Sequence, residues 1–290
     1  TFPSSSNPFV STADDDSFCA GGVLTGGANN PSNQAQKFDG TNWSAVTNVT
    51  TAKNLVTGGG NDSNFILIGG GTGGGGSYGA GQTTTNYHWD SSSWSTNNAM
   101  GTATNMSAGG GNNDNAIVFG GTYSQIQTTQ KFDGTNWSSS GNLATGVRGN
   151  CGGGISEDGI SIGGYSGTGG NRTECEKFDG SSWSGTTAFP SGQYGYSGAS
   201  GLVETNISFT NGDSAKVYYH DGSSWTQATG TNNNAKDTYQ MIGGDKDNAS
   251  KFGGNGFYAK SELWDSSSWT TTNDMSTGIF TSGQGGNTIS

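Results

Sequence analysis

The stretch QKFDGTNWS occupies residues 36–44 and occurs again, unchanged, at residues 130–138. Four further stretches follow the same pattern of an aromatic residue or histidine, an aspartate, three small or polar residues and a tryptophan. The six versions are KFDGTNW (37–43), HWDSSSW (88–94), KFDGTNW (131–137), KFDGSSW (177–183), YHDGSSW (219–225) and LWDSSSW (263–269). Successive tryptophans lie 42 to 51 residues apart, so the chain contains six copies of one structural unit.

Each copy predicts a tight turn that joins two antiparallel strands. The aspartate side chain can accept hydrogen bonds from backbone N–H groups of its own turn, and the Gly or Ser that follows tolerates the turn dihedrals. The flanking aromatic residue and the tryptophan then face each other on neighbouring strands, where they supply apolar area that Gly/Ser/Thr-rich strands lack. We therefore assign structural roles to Asp39, Asp90, Asp133, Asp179, Asp221 and Asp265 and to Trp43, Trp94, Trp137, Trp183, Trp225 and Trp269.

Two further short strands precede each of the second to sixth turns, and the second of them ends in Gly-Gly except before the fifth turn, where the pattern is weaker. NLVTGGG (54–60) and FILIGG (65–70) precede the second turn, and NMSAGGG (105–111) and AIVFGG (116–121) precede the third. Four short strands in each period of about 40–50 residues are typical of a propeller blade. The sequence therefore predicts an all-β fold, a six-bladed β-propeller of four-stranded antiparallel blades.

The two ends of the chain are predicted to meet in the first blade. VLTGG at 23–27 is expected to form its second strand, but no innermost strand is evident near the N-terminus. GIFTSGQGG at 278–286 matches the innermost strand of the other units, so we expect this C-terminal strand to join the N-terminal blade and close the ring. Residues 1–16 are then an N-terminal extension, and residues 17–290 form the propeller.

The Gly-Gly after the second strand and the aromatic–Trp pair around the last turn resemble kelch repeats, over about residues 17–290. The chain departs from that family in the five-residue distance from aromatic residue to tryptophan, which is shorter than usual, and in the loss of most arginines before the first strand. The shorter D-G-x-x-W pattern is similar to kelch-like repeats of bacteriophage and environmental virus proteins. This resemblance implies a propeller with a structural or binding role on a virion.

Composition limits the expected partners. The chain has 22 acidic and 11 basic residues and a net charge of −11, which argues against nucleic acid because phosphate binding requires a basic surface. No apolar run approaches the ~20 residues of a membrane-spanning helix, so membrane insertion is not expected. The three cysteines have no zinc-ligand spacing and are expected to be free thiols, although their spacing leaves a Cys151–Cys175 bridge open.

Catalytic and metal chemistry is not predicted. His88 and His220 lie in third strands, at positions held by Lys, Phe or Trp in other copies, and lack metal-ligand spacing. Copper oxidases among kelch propellers need converging His and Tyr ligands. Sialidases, which also carry repeated Asp turns, bind the carboxylate of their substrate with an arginine cluster. This chain has only two arginines, Arg148 and Arg172. We therefore expect no enzyme activity, no metal and no cofactor.

Alternate connections of a blade lie on opposite faces of the ring. The tight turns and the first-to-second turns share one face, which is expected to hold 13 of the 22 acidic residues and only one basic residue, Lys246. Turn capping accounts for the repeated aspartates, and binding of cations or of a positively charged partner is the alternative. Besides the six turn aspartates, the acidic residues of this face are Asp62, Asp114, Glu157, Asp158, Glu204, Asp245 and Asp247.

The opposite face, which we call the long-loop face, carries the second-to-third and fourth-to-first connections. These connections vary in length and place aromatic residues beside Asn, Ser and Gly, a combination suited to sugar or protein surfaces. Alternatively, the aromatic residues only hold glycine-rich loops in place. The predicted binding residues are Tyr78, Tyr123, Tyr165, Tyr194, Tyr196, Phe257 and Tyr258.

These observations predict a non-enzymatic surface protein, either on a virion or extracellular. The favoured function is that of a phage virion or appendage component: a decoration, fibre or receptor-contacting domain. Expected partners are other protein subunits of a virion or surface assembly, a cell-surface glycan, and further copies of the chain in a homo-oligomer, where repetition strengthens weak contacts. The alternatives are a secreted or cell-surface carbohydrate-binding module of bacterial origin and a degenerate glycosidase.

Overall fold

A computed structural model describes residues 5–6, 9–11, 18–21, 23–24, 31–73, 81–167, 170–192, 199–209, 216–229, 241–252 and 260–274. In chain order, the strands are β1 (Ser5–Ser6), β2 (Phe9–Ser11), β3 (Phe18–Ala20), β4 (Val23–Leu24), β5 (Ala35–Phe38), β6 (Trp43–Ala45), β7 (Thr57–Asn61), β8 (Asn64–Ile68), β9 (Asn86–Trp89), β10 (Trp94–Thr96), β11 (Ala108–Gly111), β12 (Ala116–Phe119), β13 (Thr129–Phe132), β14 (Trp137–Ser139), β15 (Cys151–Ile155), β16 (Asp158–Ile162), β17 (Cys175–Phe178), β18 (Trp183–Thr186), β19 (Ala199–Ser200), β20 (Ile207–Phe209), β21 (Val217–His220), β22 (Trp225–Gln227), β23 (Met241–Gly244), β24 (Ala249–Phe252), β25 (Ser261–Trp264) and β26 (Trp269–Thr271). Within these ranges, no helix has the length and apolar character needed to cross a membrane.

Six four-stranded antiparallel sheets form the blades, each from consecutive strands except that the first skips β4. The sheets are β2-β3-β5-β6, β7 to β10, β11 to β14, β15 to β18, β19 to β22 and β23 to β26. Their innermost strands contact one another in sequence around the ring, and β2 contacts both β7 and β23. Between the last and first blades, the Asn273 side-chain amide also donates to Asn42 Oδ1 over 3.3 Å. The predicted six-bladed propeller is confirmed.

The first blade differs from the prediction. Its innermost strand is β2, which pairs with β3 through a connection of only six residues, so it reaches the open edge of β3 at a small entropic cost. The innermost position is thus filled from the N-terminal side, and the expectation that a C-terminal strand completes this blade is wrong. Residues 278–286 themselves lie outside the described residues.

Two boundaries change with this correction. The expected second strand at 23–27 is wrong, because β4 pairs with β1 in a separate two-stranded sheet and β3 takes the second position. Residues 9–11, which the sequence assigned to an N-terminal extension, are part of the propeller.

Glycine allows the innermost strands to approach their neighbours. A Cβ atom on Gly109 would lie 2.2 Å from the carbonyl oxygen of Ile117, and one on Gly152 would lie 2.0 Å from a carbonyl oxygen of its own partner strand. A Cβ on Gly153 would lie 2.8 Å from the carbonyl oxygen of Gly201 in the next blade. The described residues of β7, β11, β15 and β19 are buried except at the ends of β7 and β15. These four strands therefore pack closely around the axis.

The tryptophan of each outermost strand faces the aromatic residue or histidine of the adjacent third strand. The ring centroids of these pairs lie 4.8 to 5.5 Å apart. The pairs are Phe38–Trp43, Trp89–Trp94, Phe132–Trp137, Phe178–Trp183, His220–Trp225 and Trp264–Trp269.

Five hydrophobic clusters among the described residues each join two consecutive blades, and each includes or packs against the outermost tryptophan of the later blade. These tryptophan rings therefore stabilise the contacts between blades and do not line a common cavity.

Each tight turn is held by its aspartate. The carboxylate Oδ1 accepts the backbone N–H groups two and three residues further on, over 2.7 to 3.0 Å in all six turns. The residue directly after the aspartate has a left-handed φ of 71° to 92° in every turn. Four copies have glycine at this position, whereas Ser91 and Ser266 occupy it in the second and sixth blades.

Replacing Ser91 or Ser266 by glycine is expected to raise the free energy of unfolding by about 0.5–1 kcal/mol for each turn, because glycine adopts this φ without steric cost. Urea denaturation measures the change. The reciprocal control is Gly180→Ser, where an added Cβ would make only ordinary contacts at 3.4 Å, so the φ alone is unfavourable. It should destabilise by a similar amount, and a neutral Gly180→Ser would contradict the explanation.

The turn carboxylates also predict a loss of stability in acid. Hydrogen bonds from the Ser92 hydroxyl and the Ser93 backbone N–H lower the pKa of Asp90 from 3.8 to about 2, and equivalent bonds lower that of Asp265 to about 2. Because the folded-state pKa lies below the unfolded one, these turns contribute their stability above about pH 4 and lose it as the pH falls towards 2. The pKa is also lowered at Asp39, Asp133, Asp179 and Asp221.

Unfolding midpoints measured between pH 7 and pH 2 test this dependence. In the double variant Asp90→Asn and Asp265→Asn, the amide oxygen still accepts the backbone N–H groups but does not titrate, so the decline should be shallower than in the wild type. Parallel pH profiles for the two proteins would contradict the prediction.

Candidate binding site

Two of the predicted binding residues, Tyr123 and Tyr165, are described, and they belong to adjacent blades. Tyr123 lies in the connection between β12 and β13 of the third blade, and Tyr165 follows β16 in the fourth. The remaining five, Tyr78, Tyr194, Tyr196, Phe257 and Tyr258, lie outside the described residues.

Backbone hydrogen bonds join the loops of these two blades. Arg148, in the connection from the third blade to the fourth, exchanges two of them with Tyr165, over 3.1 and 2.9 Å. Its neighbour Val147 donates to the Ile126 carbonyl over 3.2 Å. The fourth-to-first connection is therefore held between the long loops of both blades, which fixes where its side chains lie.

The Arg148 guanidinium lies between the two tyrosine rings. Its central carbon is 4.1 Å from the ring centroid of Tyr123 and 4.8 Å from that of Tyr165, within the range of cation–π interactions. Nη1 also donates to the Tyr123 carbonyl over 2.8 Å, and the Tyr165 hydroxyl donates to the Gly167 carbonyl over 3.1 Å. We call this cluster of Tyr123, Arg148 and Tyr165 the tyrosine–arginine cluster.

The backbone of the Tyr123 loop is held in an uncommon conformation. Thr122 and Gln125 have left-handed φ values of 56° and 54°, which non-glycine residues adopt at an energetic cost. The Thr122 N–H donates to the Asn105 carbonyl over 2.7 Å, and the hydroxyls of Thr122 and Ser124 lie 2.9 Å apart. The loop is thus ordered by its own contacts, and Tyr123 is presented from a preorganised backbone.

Tyr123 is the only exposed large hydrophobic residue in the described part of the chain, with 58% of its surface accessible. Arg148 has no described carboxylate within ion-pair distance, and its buried Nε has no acceptor among the described residues. By contrast, Arg172, at the other end of the Tyr165 loop, pairs with Glu174 over 3.1 Å. The cluster therefore combines an exposed aromatic ring with a cation that no described carboxylate neutralises.

The acidic side chains of the opposite face link neighbouring blades. The Asn64 amide donates to Asp114 across the interface of the second and third blades, over 2.5 Å. Likewise the Asn115 amide donates to Glu157 over 2.5 Å. Asp158 accepts a hydrogen bond from the Val203 backbone N–H of the next blade over 3.0 Å. These acids act as hydrogen-bond acceptors between blades, which favours the structural explanation over a cation-binding face.

The expectation that Lys246 is the only basic residue on that face is wrong. Lys37 reaches Asp62 of the next blade in a 2.8 Å ion pair, and the Lys131 ammonium donates to the Gly180 carbonyl over 2.8 Å. Both lysines lie in third strands, and their long side chains extend to the turns of the following blade.

All three cysteines are buried, and none of them forms a disulfide. Cys151 and Cys175 lie in β15 and β17, separated by β16, and about 9–10 Å of sheet between these strands excludes a disulfide. Burial raises the pKa of the Cys19 and Cys175 thiols to about 12, so they are protonated at neutral pH and are poor nucleophiles.

The described residues contain no group of three or more His, Cys, Asp and Glu side chains that could hold a metal ion. His220 is buried in the aromatic position facing Trp225, and its Nδ1 lies 2.7 Å from the Val203 carbonyl. His88 is partly buried, and desolvation lowers its pKa, so the neutral ring is favoured.

Lys53 is a second cation close to the long loops, but its hydrogen bonds are internal. Its buried ammonium donates to the carbonyls of Gly69 (2.8 Å) and Thr85 (3.0 Å) and to the Thr83 hydroxyl. Burial lowers its pKa from 10.5 to about 8. All three donors are used within the protein, so Lys53 connects the first two blades and is not part of the binding surface.

No protein-family model matches this chain, and no curated protein matches it.

Proposed function

We propose that the protein is a non-enzymatic adhesion component of a virion or virion appendage, and that it binds a cell surface through its long-loop face. The observation that carries this proposal is the exposed Tyr123 ring, held by Arg148 and Tyr165 from two blades. Large exposed aromatic residues on preorganised loops are typical of binding surfaces. The similarity of the D-G-x-x-W turns to kelch-like repeats of phage and environmental virus proteins supports the assignment to a virion.

The scaffold supports a role at an exposed surface. The blades are joined by hydrophobic clusters between the sheets and by hydrogen bonds between the turns, so the described part of the long-loop face is carried by a packed ring. Several copies on one particle would multiply weak single-site contacts.

The location is tested by immunogold electron microscopy of the source sample, with antibodies raised against the purified chain. Labels on capsids, fibres or tails would support a virion component. Labels confined to cell envelopes or to material outside particles would favour the secreted or cell-surface carbohydrate-binding module instead.

Replacing Tyr123 by alanine is expected to weaken binding to the host-cell surface about tenfold or more, because the ring is the exposed apolar contact of the site. Binding of labelled protein to cells from the source sample measures the effect. The matched control is Ser95→Ala, which alters an exposed residue of the outermost strand β10 and should leave binding unchanged. If both variants bind cells as tightly as the wild type and unfold at the same temperature, Tyr123 is not part of the binding surface.

A further inference from the structure

We infer that the tyrosine–arginine cluster binds a sugar that carries an anionic group, with the sugar ring stacked on Tyr123 and the anion paired with Arg148. This inference rests on the proposed adhesion function and names the ligand class of the same site. The ligand class is defined by a sugar ring with an apolar face and an anionic oxygen group. Both a uronic acid and a sulfated sugar have these two features.

The site holds a positive charge that no described carboxylate neutralises. In a chain of net charge −11, described lysines form ion pairs with carboxylates at Lys37, Lys246, Lys251 and Lys260. Arg148 has no such partner among the described residues, although a guanidinium is suited to hold a carboxylate or sulfate through paired N–H groups. One of its N–H donors is used by the Tyr123 carbonyl, Nε is buried, and the remaining Nη donors have no acceptor among the described residues.

The guanidinium and the exposed Tyr123 ring lie close enough together for one ligand to contact both. The guanidinium covers one face of the Tyr123 ring at 4.1 Å, and the ring keeps 58% of its surface accessible. A sugar can therefore stack on the accessible part of the ring while its charged substituent reaches the arginine beside it. Tyr165 and the carbonyl of Tyr123 hold the guanidinium in place, so little side-chain entropy is lost on binding.

The position of the second arginine offers a matched control. Arg172 lies at the end of the same loop, but its guanidinium is engaged by Glu174 and by the Ser166 hydroxyl, at 3.1 and 3.3 Å. If charge near the loop were sufficient, both arginines would contribute equally to binding. If stacking and charge act together, Arg148 should dominate.

The test uses the full chain on a glycan array with uronic-acid, sialic-acid-type, sulfated and neutral glycans, followed by calorimetric titration of the best anionic glycan. The matched ligand is the same glycan with its carboxylate methyl-esterified or its sulfate removed. The anionic form should bind at least tenfold more tightly, and raising the salt from about 50 to about 500 mM should weaken it several-fold. The array identifies which anion is preferred.

Protein variants then locate the contact. Tyr123→Ala and Arg148→Gln should each weaken binding tenfold or more, Arg148→Lys should recover part of the loss, and Arg172→Gln should change affinity less than twofold. Unfolding curves verify that the variants are folded, and the comparison of charged and neutral ligands on the wild type does not depend on any variant.

Equal affinity for the charged and neutral ligands would overturn the role of Arg148. Failure to bind any anionic glycan, with cell binding retained, would overturn the inference and leave the proposed function standing. Absence of the chain from particles would instead contradict the proposed function, whatever the titration gives.

Discussion

Replacing Gly109 by alanine is expected to lower the free energy of unfolding by about 3 kcal/mol or more, a large part of the ~5–15 kcal/mol that stabilises a typical domain. The added Cβ would lie 2.2 Å from the Ile117 carbonyl oxygen and 3.0 Å from the Val118 Cα, and both atoms are backbone. β11 cannot move away, because it contacts the innermost strands of the blades on both sides.

Chemical denaturation of the purified variant measures this loss. The φ of Gly109 is outside the left-handed region, so the expected effect is steric and does not arise from an unfavourable dihedral. The matched control is Gly185→Ala in the outermost strand β18, where a Cβ would meet no atom within 4 Å. That control should change stability by less than about 0.5 kcal/mol. Equal effects of the two substitutions would contradict the close packing of innermost strands described above.

Replacing Trp89 by alanine is expected to destabilise the protein by about 3–5 kcal/mol. The side chain is 2% exposed, its ring lies 5.5 Å from those of both Phe18 and Trp94, and its Nε1 donates to Asp62 over 3.2 Å. Alanine would leave a cavity between the first two blades and remove a donor from a partly buried carboxylate.

Trp89→Phe is the matched variant, because it recreates the Phe–Trp pair found in the first, third and fourth blades. It retains most of the buried ring and should cost about 1–2 kcal/mol, while Asp62 keeps its ion pair with Lys37. Urea midpoints of the two variants provide the comparison. A loss for Trp89→Ala as small as that for Trp89→Phe would show that the ring between the blades contributes little.

The repeated part of the fold could be predicted because its signal lies in side chains of fixed spacing. The Asp and Trp of each turn have the same local physics in every copy, so their pattern identifies six blades, and glycine-rich innermost strands recur in the second, third, fourth and sixth. The first innermost strand, Phe9–Ser11, has no glycine run, and its place is determined by backbone pairing with Phe18–Ala20. A repeat pattern based on side chains could not locate it.

The candidate site was predictable only in part. Tyr123 and Tyr165 could be assigned to the long-loop face from strand order alone. Arg148 could be placed on the same connections, but its stacking between two rings depends on contacts across a blade interface that no spacing in the sequence encodes. Its rarity was the available signal, since the chain has only two arginines. The lysines that reach the acidic face were missed because strand position does not give the direction of a long side chain.

Five blades are each encoded by four consecutive strands, and the first is interrupted only by β4, so none of the described strands of a blade comes from the far end of the chain. A gene duplication or deletion that covers the residues of one blade would therefore add or remove a complete blade and leave the strand pairing inside all other blades unchanged. The circumference of the ring could therefore grow or shrink by whole blades while the strand pairing within the remaining blades stays the same.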